Sequence, residues 1–180
     1  MALRRLDPHK LDVVALAAAV GQRQGEIDAS TLQRWRETQS PPADMALPPV
    51  RWTARGEQRS RSGGLPQNVL HLRVSADAWA TCQRCLQPFR TPIEVDRAFC
   101  FVATEGEAEA LDAESEDDVL ALSPSFDLIA LIEDELLLAW PLVPRHTQCS
   151  PPEHEAGGES APSDNPFAAL AALKPRSGKP

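Results

Sequence analysis

Cysteine, lysine and long apolar runs are all scarce in this 180-residue sequence. The four cysteines stand at 82, 85, 100 and 149, a spacing too irregular for a disulfide framework, and no secretory context accompanies them. The longest apolar run, LLLAWPLV at 136–143, falls far short of the ~20 residues that a membrane span requires. The start, MALRR followed by VVALAAAV, imitates a signal peptide, but Asp7 and Asp12 interrupt it and the polar GQRQGEID comes next. A cytoplasmic protein without membrane association is expected. Positive charge is missing from the second half: residues 94–135 hold fourteen acids against the single Arg97. With a net charge of −8 and a pI near 5.0, the chain is a poor non-specific binder of nucleic acid. Residues 1–62 carry ten basic against seven acidic groups, so a polyanion would have to meet that half. Nearly all the basic residues are arginine, which fits a GC-rich genome as well as a phosphate-binding surface. No Walker loop, G-x-G-x-x-G, H-E-x-x-H or G-x-S-x-G occurs, and the paired carboxylates near 133 have no nucleophile or oxyanion donor beside them. The sequence reads as a non-enzyme with no small-molecule substrate.

Proline is the residue in excess: seventeen, nearly twice the usual ~5%, mostly in segments that look like loops. Between those breaks lies an α+β pattern. Helices are expected within 1–40, started by Asp7-Pro8 and again by Asp28 or Ser30, with Leu32 and Trp35 on one face of the second. The first should run from Leu11 through Val20 and stop at Gly21 or Gly25. The sheet region, 48–104, alternates as strands do. Val50, Trp52 and Ala54 share a face, Leu70, Leu72 and Val74 share one, and so do Ile93, Val95, Phe99 and Phe101. An antiparallel sheet or small open barrel follows. The segment 105–123 opens with eight acids in fourteen residues and reads as a mobile solvated loop. A helix capped by Ser125 or Asp127 should then run over 125–140, largely buried through Leu128, Ile129, Leu131, Ile132, Leu136, Leu138 and Trp140. Glu133, Asp134 and Glu135 are consecutive and fan over about 200°, so at least one must point toward the edge of the core. These parts make one α+β domain over 1–149. Residues 150–164 have the composition of a disordered linker, and 165–174, NPFAALAALK, reads as a short apolar helix that docks on its own domain or on a partner.

Three groups of residues could carry function. Cys82 and Cys85 form a C-x2-C pair, and His146 with Cys149 offers an H-x2-C pair beyond the buried helix. Together they would make a Cys3His set for structural Zn²⁺. Two other readings stand beside it: plain reduced thiols in a turn, or a redox couple, for which LQPF is a poor helix start. Cys100, mid-strand, is expected to be a small core residue, and surface or strand-edge roles suffice for His9 and His71. Arg51, Arg55, Arg59, Arg61, Arg73, Arg84 and Arg90 gather in the sheet region near Trp52 and Phe89, as an RNA-contacting face would, or simply a solvated one. Partner docking is expected from Asn165, Pro166, Phe167, Leu170 and Leu173, helped by Glu133, Asp134 and Glu135.

The order of segments is more specific than any one of them. CQRCLQPF, FCFV, an acidic stretch with EAEAL, DLIALIEDELLLAWPLVPRH, a following cysteine and a terminal NPFAALAALK together closely resemble the YceD family, large ribosomal RNA subunit accumulation proteins. The resemblance is specific over about 80–175 and looser before. It implies a non-enzymatic cytoplasmic protein supporting synthesis, processing or stability of 23S rRNA. Its partners would be a large-subunit rRNA precursor, a ribosomal protein or an assembly factor. In some members the thiols form two C-x2-C pairs, whereas this chain has one pair and a lone Cys149 beside His146. Two mechanisms fit: an adaptor presenting acidic surface and tail to a protein, which the pI favours, or direct RNA contact by the arginines.

Overall fold

The structure, a computed structural model, describes residues 7–60, 66–113, 115 and 117–152. It is α+β: a five-stranded open sheet and, among the described residues, four α-helices. The sheet does not close into a barrel. Strands β1 (Gln22–Ile27), β2 (Val50–Arg59), β3 (Gln67–Thr81), β4 (Pro88–Val102) and β5 (Asp118–Ala121) lie side by side in chain order. The first four pair antiparallel and β5 adds parallel to β4, so the sheet is mixed rather than purely antiparallel.

One face of the sheet is packed. Leu70, Leu72, Val74, Ile93, Val95, Phe99 and Phe101 point there, as their period-two spacing requires. Three helices cover them: α1 (Val13–Ala18), α2 (Gln33–Thr38) and α4 (Leu128–Leu138). Leu128, Ile132 and Leu136, spaced four apart, are fully buried, and Asp127 caps their helix by accepting from the N–H groups of Ile129 and Ala130. Trp35 of α2 is also buried and meets Trp140 edge to face at 5.4 Å. Leu138 departs from expectation. The helix ends there, and its side chain is 75% exposed.

The N-terminal residues fold into shorter pieces than their alanine content predicts. Asp7 caps a single 3-10 turn, Asp12 caps α1, and the helix closes at Ala18. Val20 takes a positive φ of 46°, and Gly21 N–H returns to the Leu16 carbonyl at 2.9 Å. The polar stretch after it is the edge strand β1, whose alternation is masked because only Ile27 is buried. Gly25 is needed in that strand because the Trp52 ring lies over it; a Cβ would come 2.9 Å from the ring.

The acidic run is not a loop throughout. Glu105–Asp112 forms α3, capped by Thr104, which accepts from Glu107 N–H, while the Glu107 carboxylate accepts from Ala103 N–H. Acids in a first turn suit the helix dipole, and Ala108 and Leu111 supply an apolar side that packs on Cys100 and Val119. Asp117 and Asp118 are drawn to Arg59 and Arg97. Self-repulsion loses to capping and ion pairing. Among the described residues, the sheet's second face is thus covered by α3 only near Cys100 and is otherwise open.

Candidate metal centre

The β3–β4 hairpin turns over residues 82–87. Cys82 N–H donates to the Gln87 carbonyl and Leu86 N–H to the Cys82 carbonyl, both at 2.9 Å, with Leu86 at φ 60° closing the turn. This geometry folds the peptide back on the first sulfur: Arg84 N–H lies 3.4 Å from Cys82 Sγ. Cys82 is wholly buried and Cys85 half-buried.

The second half arrives after α4. Pro141 stops the helix, and the chain then runs alongside the hairpin, where Gln83 N–H donates to the Pro144 carbonyl at 2.9 Å. That bond delivers His146 and Cys149. His146 Nδ1 lies 3.3 Å from Cys85 Sγ, Cys149 Sγ lies 3.7 Å from Cys82 Sγ, and His146 N–H reaches Cys82 Sγ at 3.5 Å. The Arg84 guanidinium holds the Cys149 carbonyl at 3.1 Å, and Phe89 stacks obliquely on the His146 ring at 4.5 Å. All four ligand atoms lie within 4.8 Å of one another.

These separations suit a tetrahedral ion. With Zn–S near 2.3 Å and Zn–N near 2.0 Å, the edges of a ZnS3N tetrahedron are about 3.8 Å between sulfurs and about 3.5 Å from sulfur to nitrogen. The Cys82–Cys149 and Cys85–His146 edges, 3.7 and 3.3 Å, fall close to these values. The protonation pattern also fits. Burial raises the Cys82 thiol, but N–H donation from Cys85, His146 and Arg84 outweighs it and brings the pKa down to about 5. Burial pushes Cys149 up to about 11, reinforced by its contacts with Cys82 and Cys85. A ready thiolate thus sits beside one that resists ionisation, and a divalent cation would relieve that crowding of negative sulfur.

The arginines fall elsewhere. Arg51, Arg55, Arg59 and Arg73 lie on the open face of the sheet, Arg90 beside them on β4, and Arg84 in the hairpin. Arg51 pairs with Glu26, Arg55 with Glu57, Arg59 with Asp117 and Glu57, and Arg73 with Asp96. Arg90 pairs with Asp77 and also lies over Trp79. A shallow hollow of about 870 Å³ on this face is lined by both signs of charge, including Arg51, Arg73, Glu26, Glu94 and Asp96. Arg61 lies outside the described residues, as do Asn165, Pro166, Phe167, Leu170 and Leu173.

The three acids of α4 divide. Glu133 is 9% exposed and joins two helices, accepting from Arg34 Nε at 3.0 Å and from Trp35 N–H at 3.2 Å. Glu135 is 6% exposed, and Asp134 is the one that faces outward, paired with Arg34 at 2.6 Å. Arg34 was invisible as a site residue in the sequence, because its partners lie about a hundred positions away.

Compared with known proteins, residues 70–174 match the family model of the large ribosomal RNA subunit accumulation protein YceD. A curated Haemophilus influenzae protein with that same description is 36% identical over 113 residues, covering 59% of this chain and 65% of the relative. The chain thus spans about 65% of the length of that relative. No solved structure matches.

Proposed function

The chain belongs to the YceD family, and from that premise we propose that it supports accumulation of large-subunit (23S) ribosomal RNA as a non-enzymatic cytoplasmic adaptor between proteins. Its partner is a ribosomal protein or a ribosome assembly factor. The family match carries the ribosomal part of this reading, since it spans the cysteine hairpin, α4 and the tail. The adaptor part rests on charge. Each described arginine of the sheet's open face has a carboxylate within 3.7 Å, so little unpaired positive charge is left there for phosphate. Acidic surface on α3 suits basic ribosomal proteins, and Phe167, Leu170 and Leu173 supply an apolar anchor. The Cys3His cluster holds structural Zn²⁺, fixing the hairpin to the segment after α4.

Crosslinking and affinity capture from growing cells, with protein and RNA fractions identified separately, tests this. A ribosomal or assembly protein retained after nuclease treatment, and lost on deletion of 165–174, is the expected result. The second reading, direct RNA contact through the arginines, takes over if capture is of RNA and weakens on charge reversal at Arg51 and Arg55, with a flatter salt dependence.

A further inference from the structure

Just past α4, apolar side chains crowd the surface. Of the seven large hydrophobic residues exposed among the described residues, three fall within 138–143: Leu138 at 75%, Leu142 at 100% and Val143 at 56%. Scattered exposure of single residues is ordinary; a cluster is not. With Leu137 and Trp140 they line a groove of about 730 Å³, where, among the described residues, Gln83 is the one polar lining side chain and no charged residue takes part. Such a groove rejects a charged occupant and suits a short uncharged one.

We propose that this groove is the docking site of the chain's own segment 165–174. Residues 167–173, FAALAAL, are the longest uninterrupted apolar run among the segments outside the described residues, and Phe167, Leu170 and Leu173 recur at helical spacing. The described chain also ends in the right place. Pro152 is three residues beyond Cys149, whose sulfur lies 3.7 Å from that of Cys82, and Gln83, the next residue, lines the groove. Residues 153–164 form the tether. Their polar, Gly-Gly-containing composition gives a flexible-chain end-to-end distance of roughly 20 Å, and a tether of that length holds the segment at an effective concentration in the millimolar range. A second copy of the chain or an outside helix, at micromolar concentration, competes poorly with it. The inference does not draw on the ribosomal role. It bears on that role because Phe167, Leu170 and Leu173 can reach a partner only after leaving the groove.

Hydrogen exchange read by mass spectrometry on the full-length chain tests this, with the synthetic peptide of residues 165–174 as the unprotected reference. Amides of 168–173 should exchange at least about tenfold slower in the chain than in the peptide, equally at low and high protein concentration. Leu142→Asp and Leu170→Asp should each bring them to within about twofold of the peptide. Because Leu142 is fully exposed, unchanged exchange in β3 and α4 certifies that its variant remains folded. Three results overturn the proposal: tail amides as fast as the peptide in the unaltered chain; protection that survives Leu142→Asp; or protection that appears only as concentration rises and the mass doubles, which would assign the groove to a second copy.

Discussion

Gly56 shows how little room single positions can have. It sits in β2 where α1 crosses, its N–H donating to the Gly21 carbonyl at 2.8 Å, and an added Cβ would come within 2.5 Å of the Leu16 carbonyl. Backbone cannot step aside as a ring can. Gly56→Ala should therefore lift α1 from the sheet and destabilise by about 3 kcal/mol, read as a lowered urea midpoint, whereas Gly25→Ala meets only the Trp52 ring and should cost less. Glu135 is a different case. Burial raises its carboxyl above the ordinary 4.5, with Arg97 opposing, so the native state binds a proton more tightly than the unfolded chain. Its ionised form destabilises at neutral pH, and that penalty fades as pH falls through the raised value and is gone below 4.5. Glu135→Gln should raise Tm at pH 7 and make no difference below about pH 4. Gly56 did not announce itself in the sequence, and the fan of Glu133, Asp134 and Glu135 left open which acids are buried, because both effects depend on what packs across from them. Trp35 and Ile132 were legible as core, since helical spacing alone brings them inward.

Elements were legible where alternation or caps were strong. The period-two pattern over 69–74 and 93–101 gave β3 and β4, and the length of the apolar pattern gave α4. The strand β1 was hidden because a free edge buries little, and α3 because charge density disguised the Thr104–Glu107 cap. Capping at the other end of the acidic stretch invites a test. Asp127 holds the first turn of α4 and also faces the imidazole of His9, with Nδ1 3.0 Å away. Asp127→Ala should cost about 1–2 kcal/mol in chemical denaturation. Asp127→Asn keeps the cap while removing the charge opposite an exposed histidine, so most of the stability should return. If both variants lose the same amount, the ion pair matters more than the cap.

At the scale of the whole molecule, one covered sheet face and one clustered set of thiols and imidazole define the protein. The Cys82/Cys85 half of that cluster was readable from spacing; its meeting with His146 and Cys149 was not, because only the Gln83–Pro144 backbone bond brings the segment after α4 to the hairpin. Elemental analysis of purified protein should find one zinc per chain. Cys82→Ala with Cys85→Ala should abolish it and lower Tm, and a metal-free parent with unchanged Tm would remove the metal from the account. The two halves of this set are separated by sixty-one positions, counting from Cys85 to His146, and all of β4, α3, β5 and α4 lie between. An ion there would lock those elements into a closed circuit, restricting the unfolded chain by on the order of 4 kcal/mol if it behaved as a permanent crosslink. After a protease cut at 113–117, two fragments still joined by α4 packing and the β4–β5 pairing would part at a lower urea concentration once a chelator opens the clasp.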